Sequence, residues 1–135
     1  PPSEKGINKS RFKKKVTVLI RQKRKRLLWG WKDPRTCLTI ELYHQCLDNV
    51  RYIETRRDTS AIVASLENRD GLGDWRALVE EYKRRMQRFK VKYNLDPLVL
   101  DFDSVCANPN KWAKQMAAQL DIDPVYATAA TQRVH

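Results

Sequence analysis

The sequence predicts an α/β domain in which parallel strands are covered by helices, and three stretches carry that expectation. Residues 50–66 read VRYIETRRDTSAIVASL: β-branched and aromatic side chains, a polar turn, then a helix. Residues 27–31, LLWGW, are a short apolar run bounded by basic residues and Pro34, the pattern of a buried strand ending at Lys32. Between these two, residues 36–47 place Leu38, Leu42, Cys46 and Leu47 at helical spacing. Strand, helix, strand in this order is a βαβ unit, whose strands run parallel with a right-handed crossover.

A chain of 135 residues suits one domain and buries about two thirds of its unfolded surface. Its 41% hydrophobic and 32% charged content is that of a globular protein. No apolar run approaches the ~20 residues of a membrane helix, and no signal-peptide pattern is present, so a cytoplasmic protein with no membrane partner is expected. Cys37, Cys46 and Cys106 are an odd number without CxxC spacing, and read as free thiols rather than a zinc site. The net charge of +11 calls for an anionic partner: nucleic acid, a membrane surface or a nucleotide.

Along the chain, Phe12, Val16, Leu19, Ile20 and Leu27 form a helical stripe in residues 9–26, on an otherwise basic segment that includes Lys13 to Lys15 and Arg21 to Arg26. That basic run is either a solvated face or a nucleic-acid contact, and no aromatic side chain interleaves with it to stack on bases. After the polar turn, Asp58 or Thr59 caps a helix whose apolar side is Ala61, Ile62, Val63 and Leu66. Residues 67–74 contain two glycines and read as a loop. Asp74 opens a long helix over 75–93, with Trp75, Leu78, Val79, Tyr82, Met86, Phe89 and Tyr93 as its core stripe and Glu80–Arg84 and Glu81–Arg85 as outer i,i+4 pairs. Asn94 and Pro97 stop it, and Leu98 to Leu100 with Phe102 read as a third strand ending at Asp101-Phe102-Asp103. Asn108-Pro109 starts a last helix burying Trp112, Ala113, Met116, Ala117 and Leu120. The Ala/Thr-rich residues 125–135 read as a tail that frays.

Chemistry concentrates where strands end. In open α/β sheets, ligands sit beyond the C-terminal ends of strands. Lys32, Asp33 and Arg35 follow one expected strand and Arg57 follows the next. The Arg56-Arg57-Asp58 turn feeds a helix N-terminus, where free N–H groups and the helix dipole favour an anion. The plainer reading is a surface turn with two solvated arginines.

Arg57, followed eight residues later by Ser65 on the next helix, resembles the pair with which sulfotransferases hold the 3′-phosphate of 3′-phosphoadenosine 5′-phosphosulfate. The string WGWKDPR at residues 29–35 resembles the segment that precedes this motif in bacterial and phage members of that family, at about the family's separation. The resemblance spans residues 1 to about 124. It implies a three-layer, P-loop NTPase-like fold with helices on both faces of a parallel sheet. It also implies transfer of a sulfuryl group to a hydroxyl or amine acceptor, leaving 3′,5′-adenosine bisphosphate, with no metal. Arg57 and Ser65 would hold the 3′-phosphate, and Lys32 would stabilise the transferring sulfuryl group. Gly73-Asp74-Trp75 is similar to a tripeptide that follows a second 3′-phosphate contact, which carries Arg69 over. Arg35 and His44 are candidates for the acceptor side, although a lone helical histidine is more often a surface or core residue.

The sequence departs from the family in two places. Pro34 stands where cytosolic members have their catalytic histidine. Asp33 serves as base only if a dry site raises its pKa; otherwise it pairs with Arg35 or caps the following helix. Nothing matches the family's N-terminal loop for the 5′-phosphosulfate: Asn8-Lys9-Ser10-Arg11 lacks the glycine that lets backbone approach a phosphate. Pro1-Pro2 is similar to a pair found some way after that loop, so the chain reads as a C-terminal portion that binds nucleotide weakly or is inactive alone. A basic nucleic-acid-binding module using residues 13–26, a non-catalytic remnant and a non-enzymatic partner-binding domain are the alternatives.

Overall fold

A computed structural model of the chain describes residues 9–23, 25, 26, 28–123 and 125, with side chains from Phe12 onward. The Pro-Pro pair, the Asn8-Lys9-Ser10-Arg11 side chains, Leu27 and, Val125 apart, the 125–135 tail lie outside the described residues. The protein is mixed α/β and mostly helical, with a two-stranded parallel sheet. It divides into two compact units, Pro1–Val50 with Ala77–Leu95, and Arg51–Arg76 with Asp96–His135.

In the first unit, α1 spans Lys9–Lys23. Phe12, Val16 and Ile20 recur every four residues and so share one face; Val16 and Ile20 are each only 3% exposed. Residues 28–33 are irregular, and Leu28 and Trp31 are exposed. The strand expected at 27–31 is therefore not formed among its described residues, and the βαβ unit built on it falls away. Trp29 and Trp31 stack on each other instead, with ring centroids 5.7 Å apart, and Trp31 also meets Tyr43 at 5.0 Å. The helix expected over 36–47 is broken into a 3-10 turn, Pro34–Leu38, and a short helix α2, Ile40–His44. Pro34 supplies the first position of that turn, and Thr39 adopts a non-helical conformation between the two pieces. The 18-residue helix α4, Trp75–Lys92, lies in this unit from Ala77 onward and contributes the buried Val79 and Phe89. Its surface pairing differs in part from expectation: Arg85 meets Glu81 at 2.6 Å as the spacing requires, and Arg84 turns to the same carboxylate.

In the second unit, β1, Ile53–Arg56, pairs in parallel with β2, Leu98–Asp101, in the register Ile53↔Leu98 to Arg56↔Asp101. Residues 98–101 thus form the second strand of the described chain rather than a third. Ile53, Thr55, Leu98 and Leu100 share one face of this pair because strand side chains alternate, and of them Leu100 is buried. The helix α3, Thr59–Asp70, opens two residues after Arg57, with the Asp58 carboxylate accepting from Ala61 N–H at 3.0 Å. It ends at Gly71, whose φ of +83° is a conformation that suits glycine. Gly73 is also constrained, since a Cβ there would sit 3.0 Å from the Trp75 ring. After β2 the chain turns at once into α5, Phe102–Ala107, because Asp101 caps it by accepting from Ser104 N–H at 2.8 Å. Asn108 caps α6, Pro109–Gln119, whose Ala117 is buried.

Candidate functional site

The strand-end residues fall into two groups, one in each unit. In the first unit, Asp33 accepts from Arg35 backbone N–H at 2.8 Å and receives both Nε (3.1 Å) and Nη2 (2.9 Å) of the Arg35 guanidinium. These bonds, those of the Arg35 side chain foremost, hold the Asp33 carboxyl below its ordinary pKa, and the same contact raises that of Arg35. A general base working near neutrality needs the opposite shift. Asp33 is therefore arranged as a cap and ion-pair partner, one of the two alternatives its sequence leaves open. Lys32, next to it, is exposed. The indole N–H of Trp31 donates to Thr36 Oγ1 at 3.1 Å and fixes the start of the turn. Cys37, half-buried, donates to Pro34 C=O, and burial pushes its thiol pKa up. His44 packs among aromatic rings, at 5.4 Å from Phe89 and 4.3 Å from Tyr93.

The second group surrounds the end of β1. Arg57 lies where the strand stops, with its guanidinium carbon 4.5 Å from the centroid of the Phe102 ring. Its Nε is 3.2 Å from Asp103 Oδ1, yet the N–H is not aimed at that oxygen, so the contact is an ion pair without an aligned hydrogen bond. About a third of the Arg57 side chain is exposed, and Asp103 is 60% exposed. Arg56, by contrast, is tied back to Glu54 at 3.0 Å, which raises its pKa.

Ser65 lies exposed on α3, and no hydrogen bond joins it to Arg57 among the described residues. Arg69, at the far end of the same helix, pairs with Asp70, and their bonds lower the aspartate's pKa and raise the arginine's. The helix N-terminus is engaged as well: the Asp58 cap takes the Ala61 N–H that a bound anion would otherwise take.

Two residues of this cluster were not anticipated as ligands of Arg57. Phe102 and Asp103 were read as the end of a strand; the signal for their turn was Asp101 three residues before Ser104, an N-cap spacing. Among the described residues, no group of three potential metal ligands comes together. No helix of the described residues is long and apolar enough to cross a membrane. No known family's profile, no curated protein and no solved structure matches the chain.

Proposed function

We propose that the chain is a sulfotransferase-type domain that takes 3′-phosphoadenosine 5′-phosphosulfate as donor and passes its sulfuryl group to a hydroxyl or amine acceptor. The observation that carries this reading is the junction of β1 and α3. There a partly exposed guanidinium follows a parallel strand directly, and an exposed serine stands on the helix that opens two residues later. Arg57 would grip the 3′-phosphate as a charged fork, and Ser65 would add a hydroxyl donor. The Nε–H of Arg57 has no hydrogen-bond partner among the described residues, which leaves a donor for an anion oxygen once Asp103 gives way.

The donor supplies an activated sulfuryl group, and the chain's residues bind and position it. Lys32 is exposed in the first unit, and its role towards the sulfuryl group rests on the resemblance alone. Asp33 and Arg35 hold each other and shape the turn after Lys32. The finer architecture that the resemblance implies, a three-layer sheet of P-loop type, belongs to this proposal.

Titration with 3′,5′-adenosine bisphosphate and with 5′-AMP, followed by NMR shift changes that report weak affinities, tests it. The bisphosphate should bind at least about tenfold tighter, a difference of ~1.4 kcal/mol. Arg57→Ala should abolish that preference and Ser65→Ala should reduce it. Equal binding of the two nucleotides, absence of binding, or an unaltered preference in Arg57→Ala would each refute it.

A further inference from the structure

The positive charge of the protein belongs to one unit. By sequence, residues 1–50 and 77–95 hold 19 Lys and Arg against 6 Asp and Glu, a net +13. Residues 51–76 and 96–135 hold 8 against 10, a net −2. The nucleotide site proposed above lies at β1 and α3, in the unit that carries no excess of cations. That site therefore leaves the charge of the first unit unexplained.

Within the first unit the charge is ordered. No Asp or Glu occurs between Glu4 and Asp33. On α1, Lys13, Lys14, Lys15 and Arg21 are exposed, while Val16 and Ile20 of the same helix are buried and Phe12 meets Tyr43 edge-on. Lys25 and Arg26 continue the exposed series just past the helix. Four cations thus lie along about 12 Å of helix, with no carboxylate among them.

We infer that this face of the first unit docks the phosphate backbone of nucleic acid, independently of base sequence. Duplex DNA carries about one charge per 1.7 Å of axis and releases condensed counterions when lysines and arginines replace them. At about 100° per residue, Lys14 and Arg21 lie on one line of the helix with Lys13 and Lys15 flanking it, and a uniform polyanion of that density can span them, whereas an acidic protein surface mixes signs. A bilayer is a poorer match, because an interfacial helix inserts its apolar face. Val16 and Ile20 are already packed inside the unit, which leaves Val18 and Leu19 as the exposed large apolar side chains of α1 among the described residues. The stacked Trp29–Trp31 pair is also engaged, by Tyr43 and by the bond to Thr36, so the contact rests on phosphates rather than on base stacking.

Fluorescence anisotropy of a labelled duplex of arbitrary sequence, titrated with the protein at several salt concentrations, tests this. If the four α1 cations each meet a phosphate, log K should fall linearly with log salt with a slope of about −3.6 (about −0.9 per phosphate). Lys14→Gln with Arg21→Gln should lower the slope by about two and weaken binding more than tenfold at low salt. Both side chains are exposed, and unchanged helical circular dichroism would confirm that the variant folds. The matched control, Lys111→Gln with Lys114→Gln on α6 of the second unit, should leave slope and affinity as they were. A slope shallower than about −1, an equal loss in the control, or no loss in the α1 variant would overturn the inference. So would stronger binding to poly-glutamate, or to vesicles of equal parts phosphatidylcholine and phosphatidylserine, than to the duplex. Failure of nucleotide binding in the Arg57→Ala experiment would leave it standing, since the two rest on different residues.

Discussion

Arg57 is held from two sides, by the Phe102 ring and by the Asp103 carboxylate. Asp103 is mostly exposed although the Arg57 Nε is buried, and without an aligned hydrogen bond the pair contributes about 1 kcal/mol or less, so a dianionic phosphate displaces the carboxylate at small cost. Asp103→Asn should accordingly raise affinity for 3′,5′-adenosine bisphosphate by up to about fivefold, the equivalent of ~1 kcal/mol. Calorimetric or NMR titration would read this, and a fall in affinity would instead make Asp103 a residue that positions the guanidinium. Asp33 makes a separate prediction, in pH. Its folded-state pKa lies below the ordinary value of 3.8 because of its bonds from Arg35. The stability it adds is therefore present above the unfolded pKa and is lost as pH falls through the folded one. Asp33→Asn keeps a capping side chain and removes the charge. In urea unfolding, it should be less stable than the parent at neutral pH. The difference should begin to shrink as pH falls through about 4 and vanish only below the lowered folded-state pKa.

At the level of elements, α4 was the most legible part of the chain. A stripe that repeats every three or four residues over five turns has no competing explanation, and Phe89 on that stripe is buried. Phe89→Ala should cost about 3–5 kcal/mol in denaturant unfolding, whereas Val91→Ala, at an exposed position of the same helix, should change little. The cap at Asn108 was equally readable, because a short side-chain acceptor three residues ahead of an N–H is a local geometry, and of the two caps open at α3 the structure uses Asp58 rather than Thr59. Asp58→Ala should cost about 1 kcal/mol, visible as a lowered thermal midpoint. The apolar run at 27–31 misled because five residues cannot distinguish a strand from packed coil; its two tryptophans found each other and Tyr43 rather than neighbouring backbone. The 36–47 segment shows helical spacing, yet the Pro34 start and the Thr39 conformation divide it. For the candidate site, the strand–turn–helix around Arg57 was legible from residues 50–66. The engagement of Arg57 by Phe102 and Asp103 was not, since it pairs positions more than forty residues apart.

For the whole molecule, the burial of each unit sets its resistance to opening. Val16, Ile20, Val79 and Phe89 are buried in the first unit, and Leu100 and Ala117 in the second. Hydrogen exchange should therefore protect the amides of α1 and α4 around these side chains longer than those of β1 and α3. Stronger protection in β1 and α3 would show that buried area does not govern opening here. The division into units also bears on processing. Between α3 and α4 lies the fully accessible turn from Gly71 to Asp74, with Leu72 93% exposed at its tip. Because each unit is assembled from two separated lengths of chain, a protease cutting at Leu72 releases no autonomous piece. Both halves of the digest would hold incomplete sets of partners, and each would have to stay bound to the other to remain folded.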